Sequence, residues 1–295
     1  MKKKLVLSLS LVLVLSFAGC NKTEAPASAE SVVESAVESV AESVAEEISE
    51  EVSEEVSEEV SEAEEESAEE NADAEEDAEE AVEVMSYADY MAADFDTKVC
   101  VETYVQAKQS WWEDKATVYT QNEDGGIFLY NMACYEADYE KLVPGTKIKV
   151  TGYKSQWSGE IEITEATFEI EDGNFVAEAK DVTDLLGKDE IIDSQNQFVA
   201  FKGLTVEAAG KDDDGNDVAF LYNYDGSGED GSDLYFNVSK DGQTYTFTVE
   251  SYLCDNTTDV YKAVKELKIG DTVDLEGFLY WYEGVNPHIT AVTVK

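Results

Sequence analysis

From about residue 85 to its end, this chain predicts an all-β fold with short helices, laid out as two copies of one plan. Three observations carry that expectation. Aromatic and β-branched residues alternate with polar ones over short stretches, a period of two that gives a strand one inward face. Gly and Asp-Gly turns punctuate the stretches, as hairpins require. The later stretches also repeat the earlier ones. Leu142, Gly145, Ile148, Val150, Gly152 and Tyr153 lie over Leu267, Gly270, Val273, Leu275, Gly277 and Phe278.

The first copy reads in order. Val99 to Val105 alternates and forms a first strand, and Thr117 to Thr120 a second. Asn122 to Gly126 is a polar, glycine-ended turn that closes a hairpin onto Ile127 to Tyr130. Glu136 to Leu142 predicts a short helix, broken by Pro144-Gly145. Lys147 to Tyr153 and Glu160 to Ile170 complete the set. The polar run Glu171 to Asn174 marks a boundary, so residues 85–172 and 173–295 are expected as two domains. In the second copy Val199 and Phe201 lie over Val99 and Val101. The offset then grows from 100 to 125, which places about 25 extra residues between the second copy's first two strands, within Ala208 to Asp233.

Strand, strand-hairpin-strand, short helix, then a glycine-led strand pair resembles the OB-fold. Gly203 resembles the first-strand glycine kink of that fold, and the first copy carries Thr103 there. The resemblance implies two tandem OB-like five-stranded barrels. It also implies binding on the face of the second and third strands, and by the one-two and four-five loops.

Upstream the composition is of another kind. Lys2 to Lys4 precede an apolar run from Leu5 to Phe17, which ends in Ala18-Gly19-Cys20. Basic, apolar and small-residue regions in that order are a secretory signal, and the run falls short of the ~20 residues a spanning helix needs. The ending resembles the lipobox of bacterial lipoproteins. It implies a signal peptide over residues 1–19, lipidation of Cys20, and a protein held by lipid on the outer face of the bacterial cell membrane. Residues 20–84 are an acidic Glu/Ser/Ala/Val stretch. Its apolar residues recur every four positions from Val40 to Val60, a stripe that drifts ~40° per step on a 3.6-residue helix and forms no coiled-coil seam. Glu residues four apart repel one another. The stretch is expected to be a disordered or transiently helical stalk reaching at most ~200 Å.

The formal net charge is −47, and all twenty basic residues are lysine. From residue 84 onward 41 acidic residues face 16 lysines, so the acidity is not confined to the stalk. Such a field repels a phosphate backbone, and no nucleic-acid partner is expected. With Cys20 given to lipid, Cys100, Cys134 and Cys254 remain; an odd count without C-x-x-C spacing suits neither zinc nor a redox pair. A Cys100–Cys134 disulfide and plain buried thiols both stay open.

All four tryptophans fall near the loops the OB resemblance makes binding loops. Trp111 and Trp112 lie in the first one-two loop, Trp157 in the first four-five loop, and Tyr280, Trp281 and Tyr282 at the matching place of the second copy. Flat rings beside carboxylates and amides suit sugar faces or a protein hot spot, while packing onto the barrel core is the alternative for the same rings. Alternation puts Tyr280 and Tyr282 on one face and Trp281 on the other. The inserted loop offers Asp212, Asp214, Asn216 and Asp217, oxygen ligands of the kind calcium takes, although Asp217 stands where an EF-hand needs Gly. His288, the single histidine, has no recognisable nucleophile beside it in sequence and reads as a strand-end residue. No catalytic motif occurs. The expectation is a monomeric, non-enzymatic surface module binding a glycan or a protein, without a cofactor unless calcium fills the acidic loop. The alternatives are a structural or assembly component of the envelope, and a nucleic-acid or nuclease accessory domain.

Overall fold

The alternating stretches close into two five-stranded barrels. The computed structural model describes residues 82–295; the signal, Cys20 and the stalk as far as residue 81 lie outside the described residues. The first barrel opens with helix α1 (Tyr87–Ala92) and strand β1 (Lys98–Lys108). It continues through β2 (Lys115–Gln121), β3 (Gly126–Ala133), helix α2 (Glu136–Tyr139), β4 (Thr146–Trp157) and β5 (Glu160–Asn174). The strands hydrogen-bond in the closed order β1-β2-β3-β5-β4. All neighbours are antiparallel except β3 and β5, which meet in parallel at Phe128 and Leu129. The inward residues of the alternation, among them Val99, Val101, Val118, Leu129, Ile148 and Ile163, form one buried core. Helix α2 is a single turn, shorter than the sequence suggests. Leu142 leaves it to enter that core, and Pro144-Gly145 redirect the chain.

The second barrel follows a short strand β6 (Lys180–Asp181) and two 3-10 turns, Thr183–Leu185 and Asp189–Ser194. Its own strands begin with β7 (Phe198–Glu207). The insertion supplies β8 (Gly210–Lys211), β9 (Asp217–Val218) and β10 (Phe220–Tyr222). Then come β11 (Leu234–Lys240), β12 (Gln243–Val249), helix α3 (Asp259–Lys265), β13 (Thr272–Phe278) and β14 (His288–Val294). β7 pairs with both β11 and β13, and β12 meets β14 in parallel, so the ring β7-β11-β12-β14-β13 closes in the same order as the first. The Thr258 hydroxyl caps α3, which buries Val260, Tyr261 and Val264 against the barrel.

The repeated glycines have a steric cause. Gly152 and Gly277 sit where β4 and β13 slip register against β5 and β14. A Cβ at Gly277 would strike the His288 carbonyl, and one at Gly152 would come 2.6 Å from Ile163. Gly203 takes a φ of +66° where β7 slips against β13, the kink expected there. Thr103 at the first copy's equivalent lies in regular pairing with Ile148.

A third apolar cluster joins the barrels. Tyr119 and Phe128 from the first pack with Phe278 from the second, and Phe198 and Tyr280 flank them. Tyr119 and Phe278 stack at 4.6 Å between centroids. The Gln121 side-chain oxygen accepts from Phe198 N at 2.7 Å. Cys100, Cys134 and Cys254 are free, buried thiols, and burial pushes Cys134 and Cys254 up to about 11, far from reactive.

Candidate binding cleft between the barrels

The surfaces that the strand order designates for binding line one cleft of about 650 Å³. The first barrel contributes Phe128 and Tyr130 on β3, Gln109 beyond β1, and Trp157 at the end of β4. The second contributes Tyr235 on β11 and Thr248 on β12, with Glu250 just beyond. Its β13–β14 connection adds Tyr280, Tyr282 and Asn286, and the insertion adds Tyr224.

The two four-five loops are locked together. Glu283 N donates to the Ser158 carbonyl at 2.7 Å, and Trp281 N donates to Glu160 Oε2 at 2.8 Å. Gly159, at a φ of +95°, leaves room for the Trp281 indole; a Cβ there would lie 2.6 Å from it. Trp281 therefore packs against the second barrel's core, while its neighbours Tyr280 and Tyr282 face the cleft. Trp157 and Tyr282 come from different barrels, and their ring centroids stand 5.2 Å apart.

The polar groups are equally placed. His288 is buried, stacks on Tyr280 at 4.2 Å, and sets Nδ1 2.6 Å from the Tyr119 hydroxyl. Gln109 donates to that same hydroxyl at 3.3 Å. Burial lowers the His288 pKa to about 3, so the ring is neutral. Glu250 is raised to about 7 by burial and then by the charge of Asp233. Its oxygens accept from Tyr252 N and Leu253 N, and Asp233 Oδ1 accepts from Ser251 N at 2.8 Å. Glu162, paired with Phe128 across the parallel contact, is raised to about 6 by burial.

Of the residues singled out in the sequence, Trp157, Tyr280 and Tyr282 line this cleft. Trp111 and Trp112 divide their roles. The Trp111 indole donates to the Cys134 carbonyl at 2.9 Å and anchors the one-two loop, whereas Trp112 stands 69% exposed beside a neighbouring cavity. The acidic loop is the β8–β9 hairpin. Asp212 accepts from Asp214 N, Asn216 N and the Asn216 amide, and the Lys211 ammonium lies 2.7 Å from Asp217. Those oxygens thus serve the turn itself, and among the described residues no group of three or more His, Cys, Asp or Glu is placed to hold a metal. Sequence reasoning missed Tyr130, Tyr235, Glu250 and the placement of His288. For Tyr130 and Tyr235 the available signal was alternation on the second and third strands, which the OB order marks; Glu250, just past β12, and His288, at the start of β14, carried no such signal.

No protein-family model and no curated protein matches the chain. Solved structures align with it at low similarity. One is a murine DNA-binding protein bound with double-stranded DNA (12% identity, TM-score 0.33, 66% of this chain and 96% of that one). Another is the tetrameric p202 HIN2 (12% identity, TM-score 0.29, 68% and 96%). A third is a replication protein A heterotrimer bound to single-stranded DNA (9% identity, TM-score 0.24, 73% and 70%). The strand order above, not these alignments, carries the fold.

Proposed function

We propose that this protein is an exported, lipid-tethered, non-enzymatic binding module that holds a neutral carbohydrate in the cleft between its barrels. The observation that carries the reading is the cleft's lining: ring faces from both barrels, led by the Trp157–Tyr282 pair, beside Asn286, Thr248 and two carboxyls. Pyranose rings present apolar C–H faces and hydroxyl edges, and need both kinds of partner. The volume lies within the ~300–1,000 Å³ of small-ligand sites. No lysine lines the cleft, so a phosphate backbone finds neither counter-charge nor a favourable field there. The signal, the lipobox and the acidic stalk support display outside the cell.

Glycan-array screening followed by calorimetry tests this. Trp157→Ala and Tyr282→Ala are each expected to weaken capture by about tenfold or more, at unchanged melting temperature. An array without hits, or both variants binding like the parent, would overturn the reading.

One arrangement favours catalysis instead. Glu250, a carboxyl raised to about 7, lies beside Asp233 in an aromatic cleft, and glycoside hydrolysis needs such a pair. Against it, both Glu250 oxygens are taken by the backbone N–H groups of the following turn. New reducing ends released from a bound glycan, and abolished by Glu250→Gln, would replace binding by hydrolysis.

A further inference from the structure

We propose that the ligand is a linear glycan rather than a single sugar, and that Trp112 with Tyr252 forms its second subsite. The inference rests on the carbohydrate reading of the cleft. A second cavity of about 360 Å³ abuts the first and shares Gln109 and Tyr130 with it. The two make one groove, crossing from the four-five loops to the first barrel's one-two loop.

The distribution of exposed rings follows that groove. Nine aromatic side chains among the described residues are exposed, and six of them line these two cavities: Trp112, Tyr130, Trp157, Tyr224, Tyr252 and Tyr282. Scattered exposed apolar residues need no explanation, but a contiguous file of them marks a binding surface.

The far end is built to present its ring. Trp112 and Lys115 exchange backbone hydrogen bonds at 3.2 and 2.9 Å around Glu113 and Asp114, both in the left-handed region at φ of 46° and 58°. That is a tight I′ hairpin turn, formed without the glycine such turns prefer. Trp111 pins the turn from beneath through the Cys134 carbonyl, and Ser110 ties the loop to the second barrel through the Tyr252 carbonyl at 2.7 Å. Trp112 and Tyr252 remain 69% and 67% exposed on this fixed frame.

The chemistry between the rings selects the polymer. Apart from Lys115, the polar lining of the second cavity is neutral: amides from Gln109 and Asn131, hydroxyls from Ser110 and Thr117. Neutral donors and acceptors between stacking faces fit a chain of hydroxyl-bearing rings. Single-stranded nucleic acid would use the same rings but needs a basic track along its backbone.

The test is calorimetry of the lipid-free mature chain with neutral β-linked glucan, mannan and xylan oligomers of two to six units. For the ladder that binds, affinity is expected to rise about tenfold or more from the shortest to the longest oligomer. Trp112→Ala should remove that gain and leave dimer binding and melting temperature unchanged, while Trp157→Ala weakens every length. A plateau at the dimer, or full affinity for long oligomers in Trp112→Ala, overturns the extended site and leaves the carbohydrate reading standing. Failure of all ladders overturns both. Trp112-dependent capture of oligothymidylate at physiological salt would overturn both in favour of nucleic acid.

Discussion

Glu160 is the residue on which the joint between the four-five loops turns. Its Oε2 accepts from Trp281 N and from the Gln195 amide, but its Oε1 is buried without a partner. The Asn196 side chain interacts with it and likewise carries a buried, partnerless oxygen. Burial raises Glu160 to about 8, so near neutral pH the carboxyl is mostly protonated. A proton on Glu160 removes the charge from a carboxyl whose buried Oε1 has no partner, and a buried polar group without a partner costs ~1–3 kcal/mol. The folded pKa lies above the unfolded value of 4.5, so this stabilisation is complete below 4.5 and is lost as pH rises through about 8. Glu162 and Glu250 act with the same sign but are exhausted earlier, near 6 and 7. His288, lowered to about 3, acts with the opposite sign, and its window closes by 6.5. Between pH 7 and 8 the stability slope therefore belongs mainly to Glu160, and above that the Cys134 and Cys254 thiols, raised from 9.0 to about 11, take it over. Thermal melts across the Glu160 range should show the parent losing stability and Glu160→Gln, a permanently neutral side chain, staying level. Parallel slopes would sink the idea. None of this could be read from the sequence, because carboxylates are everywhere in so acidic a chain and only burial distinguishes this one.

At the scale of the strand, much of the fold was legible because local sterics and pattern agree. Period-two alternation gave the inward faces of β1 and β4, and the glycine matches marked where both barrels slip register. Those glycines differ in kind. At Gly277 the obstacle is neighbouring backbone, whereas at Gly203 nothing lies within 4 Å and only the φ of +66° disfavours a side chain. Gly203→Ala should then cost ~1–2 kcal/mol, the price of a left-handed L-residue. Gly277→Ala must push β14 aside and should cost more, ~3 kcal/mol or above, as overpacking does. Urea denaturation of both variants checks the ranking, and equal midpoints would contradict it. Alternation also separated Tyr280 and Tyr282 from Trp281 correctly, without saying which side was core. That choice is made by Gly159 and Glu160 of the other barrel, more than a hundred residues away, and no local pattern encodes it.

The whole molecule is where the sequence was silent, because the cleft exists only once the barrels meet. Their joint has its own apolar cluster: Tyr119 stacked on Phe278, Phe198 5.3 Å from Phe278 between centroids, and Tyr280 against Phe128. Polar ties surround it, from Gln121 to Phe198 N, from Asn196 to the Ile161 carbonyl, and from Tyr119 to His288. Gly126 approaches the Asn196 backbone so closely that a Cβ would strike it. An interface packed as tightly as a core couples the stabilities of the parts it joins, whereas flexibly linked domains melt apart. Calorimetry should accordingly give one transition for both barrels, with van't Hoff and calorimetric enthalpies equal. Phe278 is buried in the joint cluster rather than in either barrel's own core. Phe278→Ala should cost ~3–5 kcal/mol and divide the transition in two, because it empties the joint while leaving both barrels their interiors. Two resolved transitions in the parent protein would mean that the barrels are independent. The rings of Trp157 and Tyr282 would then face each other across a hinge, and the ligand, not the fold, would have to bring them together.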